Sequence, residues 1–194
     1  MSAGSTLRRV RIPAPPGRRR LPSGVEAAAG VRLGRAVRFA VAPGARVVLG
    51  PGCRIGDRSR FEVASGEVHV GAGASLGERC VVTARERIDI GADVRAGDDV
   101  LLTDTTRSID DVELPLRLQD LVTAPVAVGE GATLGARSCV LPGVTVGARA
   151  VLEAGSVAEH DVPAQAQVVG VPARAPRPAA AQRRRRPRGS DRRD

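Results

Sequence analysis

Lysine, tryptophan and tyrosine are absent from this sequence, and Phe39 and Phe61 are its only aromatic side chains of the Phe/Tyr/Trp kind. Without aromatic side chains to stack on bases, a platform for single-stranded nucleic acid is excluded, and so is a core built on bulky rings. No stretch comes near the roughly 18 to 20 uninterrupted apolar residues of a membrane span, and the Arg-rich N-terminus lacks the apolar segment of a secretory signal, so a cytoplasmic location is expected. Cys53, Cys80 and Cys139 are an odd number of thiols without a C-x-x-C spacing. That pattern supports neither a disulfide framework nor a structural zinc site, and free thiols are expected.

The net charge of +9 is unevenly placed over the 194 residues. Residues 1–24 and 172–194 together carry +13, which leaves the stretch between them at −4. Both ends are rich in Arg and Pro and poor in large aliphatics, a composition that buries too little apolar area to offset chain entropy. Disordered basic tails are therefore expected at 1–24 and 178–194, around one domain at 25–177. The runs Arg18–Arg20 and Arg183–Arg186 could grip phosphates, but no base-reading motif accompanies them, so a nucleic-acid function is not expected.

Inside the domain the dominant signal is a period of six. Val128, Leu134, Val140, Val146, Leu152 and Ala158 recur at every sixth position, with small residues or Val four places after each: Ala132, Ser138, Val144, Ala150, Ser156 and Val162. Upstream the same hexads form the triplets Leu49/Ile55/Phe61, Val70/Leu76/Val82 and Ile90/Ala96/Leu102, while Leu33 and Phe39 suggest a partial first coil. Apolar positions six apart would drift around a helix, and Gly and β-branched residues oppose one at this density. Short strands separated by turns fit the period. Three hexads then close one triangular coil, whose inward aliphatics stack on those of the next coil about 4.8 Å away, in a prism of about seven coils. Leu49, Val70 and Ile90 are 21 and 20 residues apart and Val128 and Val146 are 18 apart, which puts the extra residues at corners.

The ordered series from Thr123–Gly129 through Leu134–Gly147, Glu153–Ser156, Asp161–Pro163 and Gly170–Arg174 resembles the hexapeptide-repeat acyltransferases, sugar O-acetyltransferases among them. The resemblance implies an all-β fold, a left-handed parallel β-helix. It also implies acetyl-CoA as co-substrate without a metal, and a homotrimer acting on a hydroxyl of a sugar or glycan precursor. In such enzymes a loop interrupts the hexads and supplies a catalytic histidine near its start, usually within Asp-His-x-His. Here the hexads stop between Thr103 and Pro125, and the loop opens Thr103-Asp104-Thr105-Thr106-Arg107-Ser108, so Thr105 and Arg107 stand where histidine is usual. Neither is a base, whereas an imidazole titrating near about pH 6.5 would be. Asp104 is the nearest candidate substitute, with Asp110 and Asp111 further along the loop read as solvated acids. His69, expected to point outward between Val68 and Val70, could act across a trimer interface.

The resemblance further implies a coenzyme site at Ala136 and Ala154, where small residues would let the pantetheine arm approach the backbone, at Glu159 and His160 beside it, and at Arg174 and Arg177 near its phosphates. Thr133 replaces a common Trp, and Glu159-His160 replaces a Thr-Lys pair. Other chemistry on this scaffold fits less well. A zinc site of the carbonic anhydrase kind needs three protein ligands, and the chain has two distant histidines. An ice-binding face needs a regular Thr ladder, and a nucleotidyltransferase needs a further domain for which 24 residues leave no room. The remaining alternative is a non-catalytic trimeric scaffold or binding protein that has lost its base.

Overall fold

The computed structural model describes residues 21–108, 113 and 115–176. Asp110, Asp111, Leu114, Arg177 and both long Arg runs lie outside the described residues. The described chain forms a parallel solenoid with three faces, the left-handed β-helix that the resemblance implies. Six strands stack on the first face, seven on the second and six on the third. Among the described residues the one helical turn is the 3-10 segment Leu116–Leu118.

Register explains the period. On the first face Ala27, Leu49, Val70, Ile90, Val128 and Val146 pair in one column. On the second, Leu33, Ile55, Leu76, Ala96, Leu134, Leu152 and Val168 do so. The third column runs Phe39, Phe61, Val82, Leu102, Val140 and Ala158. Because side chains alternate across a strand, each aliphatic points inward beneath its counterpart in the next coil. The small hexad partners, including Cys53, Ser59, Ala132, Ala150 and Ser156, turn into the corners and are wholly buried. Leu33 and Phe39 are only half-buried because they sit in the first described coil, with no further coil beyond it among the described residues; Phe39 stacks on Phe61 with ring centroids 5.1 Å apart. The first coil also contains the strand Val25–Ala27, and Leu21 packs against the core just before it.

Two of the three corners carry a glycine ladder. Gly50, Gly71, Gly91, Gly129 and Gly147 climb the corner between the first and second faces, and Gly34, Gly56, Gly77, Gly97 and Gly135 climb the corner between the second and third. A Cβ on Gly135 would lie 2.3 Å from the Ala154 amide nitrogen, so these coils approach closely only because the side chain is missing. The third corner, where the chain returns to the first face, has no such ladder. Phe39 and Leu49 are ten residues apart across it, Phe61 and Val70 nine, Val82 and Ile90 eight, and Val140 and Val146 only six. All the added length of the solenoid is collected on this one edge.

Candidate functional site

The largest departure from the hexad leaves the third corner after the strand Leu101–Thr103 and returns at Val126–Val128. Its base is an antiparallel ribbon of Thr105–Arg107 against Leu121–Thr123, with Thr105 opposite Thr123 and Arg107 opposite Leu121. The hexads by themselves predict only a protruding loop here. The Arg107 guanidinium bridges the arm internally, donating to the carbonyls of Arg117 at 3.4 Å and Gln119 at 3.2 Å. Thr105 faces inward, and its Oγ1 donates to Asp104 Oδ1 at 2.7 Å.

Asp104 is the pivot of the corner. Its side chain is fully buried, and its carboxylate accepts the amides of Arg85, Glu86 and Arg87 from the preceding coil at 2.7–3.0 Å in addition to the Thr105 hydroxyl. Its carbonyl accepts the amide of Ala124, which closes the arm where the chain rejoins the solenoid. Both carboxylate oxygens are thus spent on backbone donors out of reach of solvent. The expectation that Asp104 could replace the missing histidine as a base is corrected by this arrangement: an acceptor hydroxyl has no path to either oxygen.

The residues assigned to a coenzyme fall in three places. Ala136 and Ala154 lie on the edge between the second and third faces, one above the other, with the Gly155 amide donating to the Ala136 carbonyl at 2.9 Å. Glu159 and His160 are exposed on the third corner in the last full coil. Arg174 lies at the C-terminal end, where its backbone pairs antiparallel with Val169. What joins these places is the third face. Its outward row begins with exposed Arg38 and Arg60 in the first coils and continues from Val81 through Leu101 and Cys139 to Val157, a stretch that is half-buried and uncharged. Sequence reading missed this strip because it followed the inward positions alone. The Cys139 thiol in it is pushed up from its ordinary range by burial.

Toward the N-terminus two grooves flank the third corner below the arm. One, of about 540 Å³, opens on the third face over Ala40, Glu62, Ala64, Thr83 and Arg85. The other, of about 450 Å³, opens on the first face over Arg46, Glu67, Glu86, Arg87 and Pro125. Beside the second groove, His69 points outward as its position between buried Val68 and Val70 predicts, and its Nε2 lies 3.0 Å from Glu67 Oε2. That close contact, reinforced by the charges of Arg87 and Arg46, holds the Glu67 carboxyl below the usual carboxylate range. Arg87 also pairs with Asp89 at 2.6 Å. Among the described residues no group of three His, Cys, Asp or Glu side chains could hold a metal ion, and no helix is long and apolar enough to cross a membrane.

Residues 125–157, the coils that follow the arm, match the hexapeptide repeat of succinyl-transferase. A protein of Mycobacterium tuberculosis described as a probable acetyltransferase is 30% identical over 145 residues, which are 74% of this chain and 48% of that protein. The chain therefore spans about half the length of this curated relative. Among solved structures, a maltose O-acetyltransferase from Clostridium difficile superposes with a TM-score of 0.58 and 24% identity, over 71% of this chain and 68% of its own. A point mutant of AntD, an N-acyltransferase from Bacillus cereus solved with dTDP and coenzyme A, gives 0.61 and 19%, over 74% of this chain and 81% of its own. Repeat, register and neighbours agree, and the chain is a hexapeptide-repeat protein of the left-handed β-helix type found in acetyltransferases.

Proposed function

We propose that the chain transfers an acetyl or other acyl group from acyl-CoA to a hydroxyl of a sugar or glycan precursor, working as a homotrimer in the cytoplasm. The observation that carries this reading is the uncharged outer strip of the third face, bounded by the small-residue edge at Ala136 and Ala154 and by the arm. A thin pantetheine chain needs an apolar bed without charged side chains, and at its margin small residues whose backbone groups can bind its amides. Solved relatives holding coenzyme A support the same assignment. Arg174, with Arg177 beyond the described residues, would meet the phosphates through forked hydrogen bonds, and Glu159 and His160 would flank the coenzyme.

In the reaction the acceptor oxygen attacks the thioester carbonyl carbon, the C–S bond breaks, and the hydroxyl proton passes through a base to the departing thiolate. With Asp104 committed to the corner, and with Thr105 and Arg107 unable to accept a proton, His69 of a neighbouring subunit is the imidazole best prepared for that task, since Glu67 fixes its orientation. Positioning of both substrates supplies the rest. A non-catalytic scaffold is the second reading, favoured by Thr105 and Arg107 at the positions where the family carries its base. Release of coenzyme thiol, followed with acetyl-CoA and a panel of sugars, tests the first reading. Absence of both turnover and calorimetric coenzyme binding selects the second.

A further inference from the structure

The third-face groove below the arm is bordered by a pair of like charges, only one of which has an acidic partner. Arg38 and Arg60 stand directly opposite each other in parallel register on adjacent strands, about 4.8 Å apart. Like charges so placed weaken a sheet. Arg38 has no acidic partner among the described residues, and Arg60 has only Glu62 of its own strand, 3.9 Å away. Two residues along the same strands, hence on the same outward side, Ala40 and Glu62 form the floor of the 540 Å³ groove. Arg85, exposed at the far margin, adds a third cation to the rim of a bed in which Thr83 lies beside the Glu62 carboxylate.

Such a groove has the size of a small-molecule site. Its chemistry divides in two. Glu62 and Thr83 offer acceptors and a donor for sugar hydroxyls, while guanidinium groups present forked donors that match phosphate oxygens. Arg38, without an acidic partner among the described residues, and Arg60, 3.9 Å from Glu62, gain when an anion bridges them, because the ligand converts mutual repulsion into two attractions. We propose that this groove binds a phosphate-ester sugar, with the hexose over Ala40, Glu62 and Thr83 and the phosphates on Arg38 and Arg60. The inference rests on the acyl-transfer reading for its identification of the ligand as the acceptor, and it places that acceptor just N-terminal to the arm and the coenzyme strip.

Calorimetry on the full chain with inorganic pyrophosphate, UDP-glucose and glucose tests it. Pyrophosphate and UDP-glucose should bind, more weakly as salt rises, and glucose should not. The R38Q/R60Q variant changes two exposed side chains and should lower affinity for both anions at least tenfold. A second variant with Arg183 to Arg186 changed to Gln should bind as the parent does. Anion binding that survives R38Q/R60Q, or that vanishes only in the tail variant, overturns the proposal, as does glucose binding as tight as UDP-glucose. Thiol release from acetyl-CoA is followed in parallel. UDP-glucose binding that is lost in R38Q/R60Q but gives no thiol release upholds the anion site and removes the acyl-transfer reading. Turnover with an unchanged acceptor KM in R38Q/R60Q removes the anion site alone.

Discussion

The carboxylate of Asp104 accepts the backbone amide of Glu86 at 2.7 Å, one coil earlier, and the amides of Arg85 and Arg87 converge on the same group. Three successive amides cradling one buried anion do at this corner what the glycine ladders do at the other two: they lock one coil to the next. The cradle forms on the edge where the arm departs, so fold stability and the mouth of the site share one residue.

Replacing Asp104 with Ala strips those donors of their acceptor without exposing them fully. Bonds to a charged group and the penalty of unsatisfied amides together imply a loss of about 3 kcal/mol or more. Asp104→Asn keeps one acceptor oxygen but turns an NH₂ toward N–H donors, and should recover only part of it. Urea unfolding of the two variants beside the parent measures both values. A loss below about 1 kcal/mol in Asp104→Ala would show that the cradle does not hold the corner.

The inward columns could be read from the sequence because a core of this shape admits only one repeating choice, an aliphatic at every sixth residue, and Val128 to Ala158 keep it without interruption. The strand Val25–Ala27 is harder to see, since three residues carry no period. Asp104 misleads for a different reason. Its partners are main-chain amides 17 to 19 residues upstream, and amides leave no mark in a sequence, so a structural anion and a catalytic one look alike. The outward row Val81, Leu101, Cys139 and Val157 is present in the sequence, but its meaning depends on which outward positions share a face, and that follows only from the register.

Two glycines should respond differently to the same change. At Gly135 an added Cβ meets the Ala154 nitrogen at 2.3 Å, and backbone on both sides must part to admit it, for a cost of about 3 kcal/mol. At Gly52, with φ of +71° and nothing within 4 Å, the methyl meets open space and only the left-handed conformation is penalised, about 1 kcal/mol. Thermal unfolding of Gly135→Ala and Gly52→Ala should keep this order. A reversal would mean that the coils do not pack at the spacing described.

The thiols give a chemical readout of the same packing. Burial raises the pKa of Cys53, Cys80 and Cys139, and the thiolate is the reactive form, so less of it exists at neutral pH than in an ordinary thiol. Iodoacetamide at about pH 7.5 should leave Cys53 and Cys80 unmodified in the folded chain and label half-exposed Cys139 slowly, with the rate rising as pH climbs through its raised value. In urea all three should label at similar rates, and peptide mass spectrometry reads the outcome. Saturating bound coenzyme should slow Cys139 further, because its side chain lies in the strip assigned to pantetheine.

Glu67 links the first-face groove to pH. Its folded pKa is depressed, chiefly by its contact with His69, so its contribution to stability is present at neutral pH and is lost as pH falls through the depressed value. Solvent screens the pair and keeps the effect small. Thermal midpoints of the parent and Glu67→Gln should therefore differ at about pH 7 and converge in acid. A gap that stays constant from about pH 7 to about pH 3 would assign the difference to packing and not to the charge.

If His69 accepts the acceptor proton, His69→Gln should lower turnover at neutral pH by about 10²- to 10⁴-fold while leaving coenzyme affinity unchanged. Glu67 acts through the imidazole, so Glu67→Gln should lower turnover less than His69→Gln does and leave coenzyme affinity unchanged. If the histidine is supplied across a subunit interface, as proposed, mixing His69→Gln with a variant impaired in the arm should restore activity in hetero-trimers. Recovery requires one intact imidazole facing one intact arm, and its absence would place the proton transfer within a single chain.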